Sequence, residues 1–199
     1  TDDQKILQSF QDFDIIIHLA AAVGVGITET DPIWTLNTNI LGTKNILESC
    51  KKNNIKKVIL ASSSEVYGEP VQLPQHEDTT PLNSKLPYAV IKNAGECFCK
   101  TYYQKYKLNF NIFRFFNTYG KRQSDDFVIS KFIYLAQKNQ DIEIYGDGSQ
   151  TRTFCYISDN IEATTSEKLS DTYNNKILNI GDDRVCAIQD VAKLIINLT

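Results

Sequence analysis

Three short, β-branched apolar runs constrain this chain more than any other feature. They are Phe13–Leu19 (FDIIIHL), Val58–Ala61 (VILA) and Phe110–Phe116 (FNIFRFF), and longer stretches with helical spacing separate them. Runs of this kind read as strands buried on both faces. Between the first two, Asp31-Pro32 reads as an N-cap followed by the first helical residue. Ile33, Leu36, Ile40 and Leu47 then recur on one helical face until the basic, Asn-rich Lys51–Asn54. Between the second and third, Gly68 to Pro87 carries Pro70, Pro74, Pro81 and Pro87 and reads as mostly loop. A long helix over Tyr88–Lys107 follows. Strand, helix, strand, helix, strand is the alternation of an α/β fold with a doubly wound parallel sheet. Such sheets bind ligands beyond the carboxyl ends of their strands. The chemistry is therefore expected in Ser62–Gly68 (SSSEVYG) and in Asn117–Gly120 (NTYG).

After Lys121 the texture changes. The pattern predicts a helix over Phe127–Gln137, a short strand at Ile142–Tyr145, a tight turn at Gly146-Asp147-Gly148 and a strand-like run over Thr151–Ile157. Ser158 and Asp159 are candidate caps for another helix. Ile177–Ile180 reads as a strand and Ala187–Leu198 as an amphipathic helix. The expected organisation is one α/β domain over residues 1–124, then 125–199 as returning elements mixed with a small substrate-facing lobe.

Composition narrows the class. With 199 residues and 42% hydrophobic content, the chain has apolar matter for a sizeable core. It has no apolar run near the length of a membrane span and no charged-then-apolar leader, so a cytoplasmic protein is expected. A net charge of −3 argues against a general nucleic-acid binder. The five cysteines (Cys50, Cys97, Cys99, Cys155, Cys186) are odd in number and irregular in spacing, and His18 and His76 are the only histidines. That suits neither a disulfide framework nor a zinc site; free thiols in a reducing compartment and no metal are expected. Met is absent, even at position 1, so the 199 residues read as a piece of a longer chain.

The first chemical motif is Tyr-x-x-x-Lys, which places a phenol and an ammonium one helical turn apart. The ammonium is expected to lower the phenol's pKa, so that the phenolate serves as a base near neutral pH. The motif alone says little. Chance predicts about one match in a chain of this composition, and three occur: Tyr88/Lys92, Tyr103/Lys107 and Tyr134/Lys138. Context separates them. Only Tyr88 opens a helix, directly after Pro87 and downstream of the serine cluster that ends a buried strand. Ser63, Tyr88 and Lys92 form a proton-transfer set in which Ser63 holds a substrate hydroxyl, Tyr88 takes its proton and Lys92 tunes Tyr88.

With these residues in place, the chain resembles the extended short-chain dehydrogenase/reductase family, specifically its NAD-dependent nucleotide-sugar epimerases and dehydratases. The matching stretches are His18–Ala21, Asn37–Thr43, Ser62–Gly68, Pro87–Lys92, Arg114–Gly120 and Tyr145–Gly148 with Arg152, in the family's order. The resemblance implies a Rossmann-like sheet, NAD as cofactor and a nucleotide-diphosphate sugar as substrate. It implies that Ala20, Ala21 and Ala22 pass close to the cofactor, that Asn39 hydrogen-bonds backbone near the site, and that Ser62, Tyr88, Lys92 and Phe115 also line the cofactor. It further implies that Ser63, Asn117 and Val128 contact the substrate, that Tyr145 stacks on the nucleotide base and that Arg152 grips the diphosphate. A homodimer through the helices Asp31–Asn54 and Tyr88–Lys107 is a further implication. His18 reads as a packed, hydrogen-bonded histidine rather than a catalyst. Family members open with a glycine-rich loop that cradles the pyrophosphate. Nothing before Asp12 supplies one, and Gly24-Val25-Gly26 follows the wrong strand and lacks the third glycine. The 199 residues alone are therefore expected to be inactive and to show no measurable affinity for NAD at micromolar concentrations.

Glu65 divides the family's activities. Simple 4-epimerases usually carry a neutral residue two positions before Tyr67. The 4,6-dehydratases and nucleotide-sugar decarboxylases carry Glu, and a dehydratase needs a carboxylate base at C5. Ser63-Ser64-Glu65 matches the decarboxylase triplet, while Ser64 stands where the thymidine-sugar dehydratases have Asp. The AAAVG segment at Ala20–Gly24 and Tyr145–Arg152 look as much like epimerases. A carboxylate that merely caps the loop is the bland alternative. The reading narrowly favours a UDP-sugar 4-epimerase over a decarboxylase or dehydratase using Glu65, with an inactive fragment or pseudoenzyme as the non-enzyme alternative.

Overall fold

The alternating runs build a parallel sheet with helices packed on it. The computed structural model describes residues 3–23, 30–166 and 171–199; Gly24-Val25-Gly26 lies outside the described residues. Contacts divide the chain into two units, Thr1–Phe115 with Ser166–Asn179, and Phe116–Thr165 with Ile180–Thr199. The sequence expectation placed a single boundary between residues 124 and 125.

In the first unit, α1 (Asp3–Ser9) precedes β1 (Ile15–His18), α2 (Pro32–Lys52), β2 (Lys57–Ser63), α3 (Pro87–Tyr106) and β3 (Asn109–Phe115). β1, β2 and β3 are parallel, with Ile16 opposite Val58 and Leu60 opposite Ile112. The sheet order is β1–β2–β3–β7, where β7 is Lys176–Ile180. The Asp31 side chain accepts the Trp34 N–H at 2.9 Å and Pro32 fills the first helical position, so α2 starts where its cap dictates. α3 starts at Pro87 and stops at Lys107, which adopts the left-handed conformation (φ 59°). The core of this unit joins Leu47 and Cys50 of α2, Val58 and Leu60 of β2, Cys99 and Tyr102 of α3, and Phe110 and Ile112 of β3.

One strand departs from expectation. β1 is not buried on both faces: Ile15 and Ile17 are 48% and 45% exposed, and only Ile16 packs against the core. β1 lies at the edge of the described sheet, and the described helices cover the face that carries Ile16 and His18.

Gly68 closes the short 3-10 helix Ser64–Tyr67. Its φ is +68°, and an added Cβ would meet the Ser84 backbone N at 2.8 Å. Only glycine fits a site that demands both conformation and clearance. The turn that ends the serine segment is thereby locked to the loop that leads into α3.

The second unit contains β4 (Thr118–Tyr119), α4 (Val128–Gln137), β5 (Thr151–Thr153), β6 (Cys155–Tyr156), α5 (Ile157–Thr165), β8 (Val185–Ala187) and α6 (Ile188–Leu198). β4 pairs with β6 in parallel and β5 with β8 in antiparallel. The core is Phe132 of α4 with Ile188, Ala192 and Ile195 of α6. The expected strand at Ile142–Tyr145 does not form. Ile142 and Ile144 instead pack their side chains against that helical core while the backbone finds no ladder partner. α5 begins at Ile157, so Ser158 and Asp159 lie in its first turn rather than capping it. Among the described residues, no helix is long and apolar enough to cross a membrane.

Candidate active site

The site is assembled at the carboxyl ends of β1, β2 and β3. Parallel register sets Ser63, the last residue of β2, beside Phe115, the last of β3. The Ser63 side chain then turns back to accept the Glu65 N–H at 3.2 Å, which starts the 3-10 helix. Tyr88 is the second residue of α3 and Lys92 lies one turn on, so both face the ends of the strands. The Tyr88 phenol is half-buried and within hydrogen-bonding reach of Ser63. The Lys92 Nζ donates to the Ala61 carbonyl at 2.7 Å and sits 5.6 Å from the Tyr88 ring centroid.

This geometry corrects one expectation. The Tyr88 pKa is not lowered by Lys92; it is raised, first by burial and also by the nearby Glu65 charge, against an opposing pull from the Ser63 hydrogen bond. Lys92 is bonded to a backbone carbonyl and does not address the phenol oxygen. Burial instead brings the Lys92 ammonium down to about 8.

His18, at the end of β1, pairs Nε2 with the Thr43 Oγ1 at 3.3 Å. Burial, reinforced by the Lys92 charge, lowers its pKa from 6.5 to about 4. A depressed folded-state pKa means that the unfolded chain binds the extra proton first. The resulting stability is complete above about 6.5 and is lost as pH falls through about 4. Urea unfolding should therefore show stability falling across that window, and His18→Gln should flatten the fall. An unchanged slope in the variant would show that other groups carry it.

Ala20 and Ala21 follow β1 and, with His18, Asn39, Thr43, Leu60, Ala61, Ile91, Lys92 and Gly95, line a cavity of about 10 Å³. That is room for about one water. Asn39, in the middle of α2 and 7% exposed, accepts the Ala22 N–H at 2.8 Å through Oδ1. Its Nδ2 donates to the Ala22 and Thr35 carbonyls at 3.0 and 2.9 Å. The poor helix former is there because it clamps the chain that leaves β1. It is not a solvated surface residue.

Ser62 departs from its expected place at the cofactor. It is 3% exposed, and its hydroxyl donates to the Glu96 Oε1 at 2.6 Å, on the α3 side of β2. Alternation along a strand explains this: Ser63 and Ser62 point to opposite faces. Glu65 does not cap the loop, since the capping oxygen is that of Ser63. The Glu65 carboxylate is exposed and holds no hydrogen bond or ion pair among the described residues, yet its charge reaches Tyr88.

The remaining expected substrate residues belong to the second unit. Asn117 donates from Nδ2 to the Thr153 carbonyl at 2.9 Å. Val128 is the half-buried first residue of α4 and packs on that unit's core. Tyr145 is 74% exposed with the Lys131 Nζ 5.7 Å from its ring centroid. The exposed Arg152 donates to the Thr151 carbonyl at 2.8 Å. Gly146 and Gly148 take positive φ in the turn after Tyr145, which the Asp147 Oδ1 fastens by accepting the Ser149 N–H and hydroxyl.

Cys50, Cys99 and Cys155 are buried, and burial pushes the first two thiols up to about 12, so neither is a nucleophile at neutral pH. The sequence reading missed the pairing of Arg114 with Glu96, although an arginine inside an apolar strand signals a buried partner.

Residues 1–181 match the NAD dependent epimerase/dehydratase family. The chain is 38% identical over 197 residues to a putative UDP-glucose 4-epimerase of Methanocaldococcus jannaschii, covering 97% of this chain and 63% of that protein. It is 40% identical over 206 residues to a UDP-N-acetyl-alpha-D-glucosaminuronate decarboxylase of Bacillus cytotoxicus, covering 100% and 63%. Among solved structures, the UDP-N-acetylglucosamine 4-epimerase of Methanobrevibacter ruminantium in complex with UDP-N-acetylmuramic acid superposes with a TM-score of 0.92 at 31% identity, covering all of this chain and 65% of that one. The chain thus spans just under two thirds of the length of these relatives. Its sheet of parallel strands, its ordered motifs and these similarities agree: the chain belongs to the NAD-dependent epimerase/dehydratase family.

Proposed function

We propose that the protein is an NAD-dependent UDP-sugar 4-epimerase. The observation that carries this reading is the convergence of Ser63, Tyr88 and Lys92 at the carboxyl end of β2, with the phenol in reach of the serine hydroxyl. That set suits removal and return of a proton at one sugar hydroxyl.

The residues fit the cofactor. Ala20 and Ala21 are small and line the cavity at the end of β1, and the Asn39 clamp holds Ala22 in place. Ala20–Ala22, Tyr88, Lys92 and Phe115 would hold it, without Ser62. When bound, NAD supplies the acceptor and donor of hydride at sugar C4. The chain's own residues handle the proton. Ser63 holds the O4 hydroxyl, and Tyr88 Oη accepts its proton and gives it back after the ring has turned. Because burial raises the Tyr88 pKa, the phenol must first give up its own proton to solvent before its oxygen can accept that of O4, and the phenolate so formed is the stronger base. Lys92 supplies the compensating charge from the floor of the site. Tyr145 and Arg152 would serve the base and the diphosphate.

Similarity to the two 4-epimerases supports epimerisation. Two observations favour a second reading, decarboxylation or dehydration: the 40% identity to the decarboxylase, and a Glu65 carboxylate that holds no hydrogen bond or ion pair among the described residues while its charge acts on Tyr88. The two separate in deuterated water with UDP-glucose, UDP-N-acetylglucosamine and UDP-glucuronate as substrates. An epimerase breaks no carbon–hydrogen bond to solvent, so its product carries no new deuterium on carbon, and Glu65→Gln keeps kcat within about tenfold because only positioning is disturbed. A dehydratase or decarboxylase product carries deuterium at C5. For the dehydratase, Glu65→Gln costs about 10²–10⁴ in kcat, the scale of general-base catalysis. Deuterium at C5 would overturn the epimerase reading.

A further inference from the structure

Behind the serine–tyrosine–lysine set lies a buried ionic network to which the proposed chemistry gives no role. Glu96 is fully buried and Arg114 is 1% exposed. Arg114 Nε and Nη2 donate to the Glu96 Oε1 and Oε2 at 3.0 and 2.7 Å, a two-pronged pair. Each partner also reaches outward. Glu96 Oε1 accepts the Ser62 hydroxyl at 2.6 Å. Arg114 Nη1 donates to the Tyr67 Oη at 2.8 Å and to the Glu77 carbonyl at 3.3 Å, with its guanidinium 4.8 Å from the Tyr67 ring centroid. The Tyr67 Oη donates in turn to the Asn179 Oδ1 at 2.7 Å. The Asn179 N–H and Nδ2 fasten the loop at Glu77 Oε1 (2.6 Å) and at the Gln75 carbonyl (3.1 Å).

The placement is specific. Tyr88, Lys92 and Glu96 succeed one another at four-residue steps, so they occupy one face of α3. Ser62 and Tyr67 bracket Ser63 and Glu65. Thus Glu96 ties the helix that carries the base to the residue before Ser63. Arg114 ties the far end of the same segment to β3 and, with Asn179, to the loop at 75–77. An apolar pair could fill this space at similar stability. What an apolar pair could not do is fix the Ser62–Tyr67 segment at both ends.

We propose that Arg114 and Glu96 are positioning residues. Their pair sets the Ser63 hydroxyl, and with it the Glu65 carboxylate, against the Tyr88 phenol. This rests on the functional reading above for its catalytic consequence, but not for its structural one.

The test uses the double variant E96L/R114M and the single variant R114K in the full-length protein. Three quantities are read: Tm, hydrogen exchange over residues 62–68, and steady-state kinetics on a UDP-sugar that the wild type converts. The double variant removes the charges together, so its Tm should fall much less than that of Glu96→Leu, by about the loss of the Ser62 hydroxyl's acceptor alone. Its amides over 62–68 should exchange at least tenfold faster than the wild type's, and kcat should fall at least tenfold with KM changed less than threefold. R114K keeps the charge beside Glu96 but cannot fork to Tyr67 as well. It should show the same exchange and kcat pattern. A pair that serves only stability predicts the opposite. Either variant with wild-type exchange over 62–68 and wild-type kcat would overturn the proposal. A full-length wild-type protein that converts no UDP-sugar would sink the functional reading, while hydrogen exchange would still decide the positioning claim.

Discussion

Tyr88→Phe lowers kcat by about 10²–10⁴, the usual worth of a positioned acid–base group, and leaves the fold intact. The substitution keeps the ring against α3 and the strand ends and deletes only the oxygen that Ser63 reaches. Tyr103→Phe and Tyr134→Phe are the matched controls. Both tyrosines sit four residues before a lysine, as Tyr88 does. The Tyr103 ring packs edge-on against Phe110 at 6.1 Å, a role that Phe performs equally well. Tyr134 is 49% exposed on α4. Neither variant should change kcat measurably. Steady-state kinetics with a UDP-sugar, together with a thermal melt for each variant, provide the check. Comparable losses at all three positions would mean that the motif's location at the head of α3 carries no catalytic weight.

The second large effect is on stability. Glu96→Leu leaves the Arg114 guanidinium buried without its carboxylate, and removing one partner of a buried pair costs about 3–5 kcal/mol. In a chain of this length the melting temperature should fall on the order of 10 °C. The Ser62 hydroxyl loses its acceptor in the same step, which adds to the cost. The surface pair Lys56–Asp14, at 2.7 Å but with side chains 77% and 70% exposed, is the contrast. Lys56→Ala should leave the melt nearly unchanged because water already serves both charges. Chemical denaturation of both variants checks the ranking. A Glu96→Leu melt that overlays that of the wild type would show that water or a local shift compensates Arg114.

Much of the frame was legible because local signals agreed with the tertiary ones. Asp31-Pro32, the proline-rich loop and the apolar runs each name an element boundary, and the helices and strands of the first unit fall within a residue or two of those marks, apart from α1, which the sequence reading did not anticipate. What the sequence could not show was which strand faces are covered. FDIIIHL reads as fully buried, yet Ile15 and Ile17 face outward because burial depends on neighbours in the sheet, not on composition. Ile142–Tyr145 failed for a related reason. Alternating isoleucines suit a strand, but a strand also needs a ladder partner, and here the same side chains serve a helix-packed core.

The site followed the same division. The order Ser63, Tyr88, Lys92 could be read from spacing and context, since adjacent βα units bring those positions to one sheet end. The direction of the Tyr88 pKa could not. It depends on where Lys92 points, and the Ala61 carbonyl decides that. Ser62 and Ser63 are equivalent in sequence and opposite in placement, one joined to the buried Glu96 and one turned to Tyr88, because they stand on opposite faces of β2.

The most direct test of epimerisation through chemistry at C4 is to follow the fate of a hydrogen label there. The full-length protein is given a UDP-hexose carrying deuterium at C4, and the product is read by NMR with the rate compared to that of the unlabelled sugar. The 4-epimerase account predicts a slower reaction with the labelled sugar and a product, inverted at C4, that keeps all its deuterium at C4. Deuterium moved to C6, deuterium lost to solvent, or a product that is not inverted at C4 would contradict it.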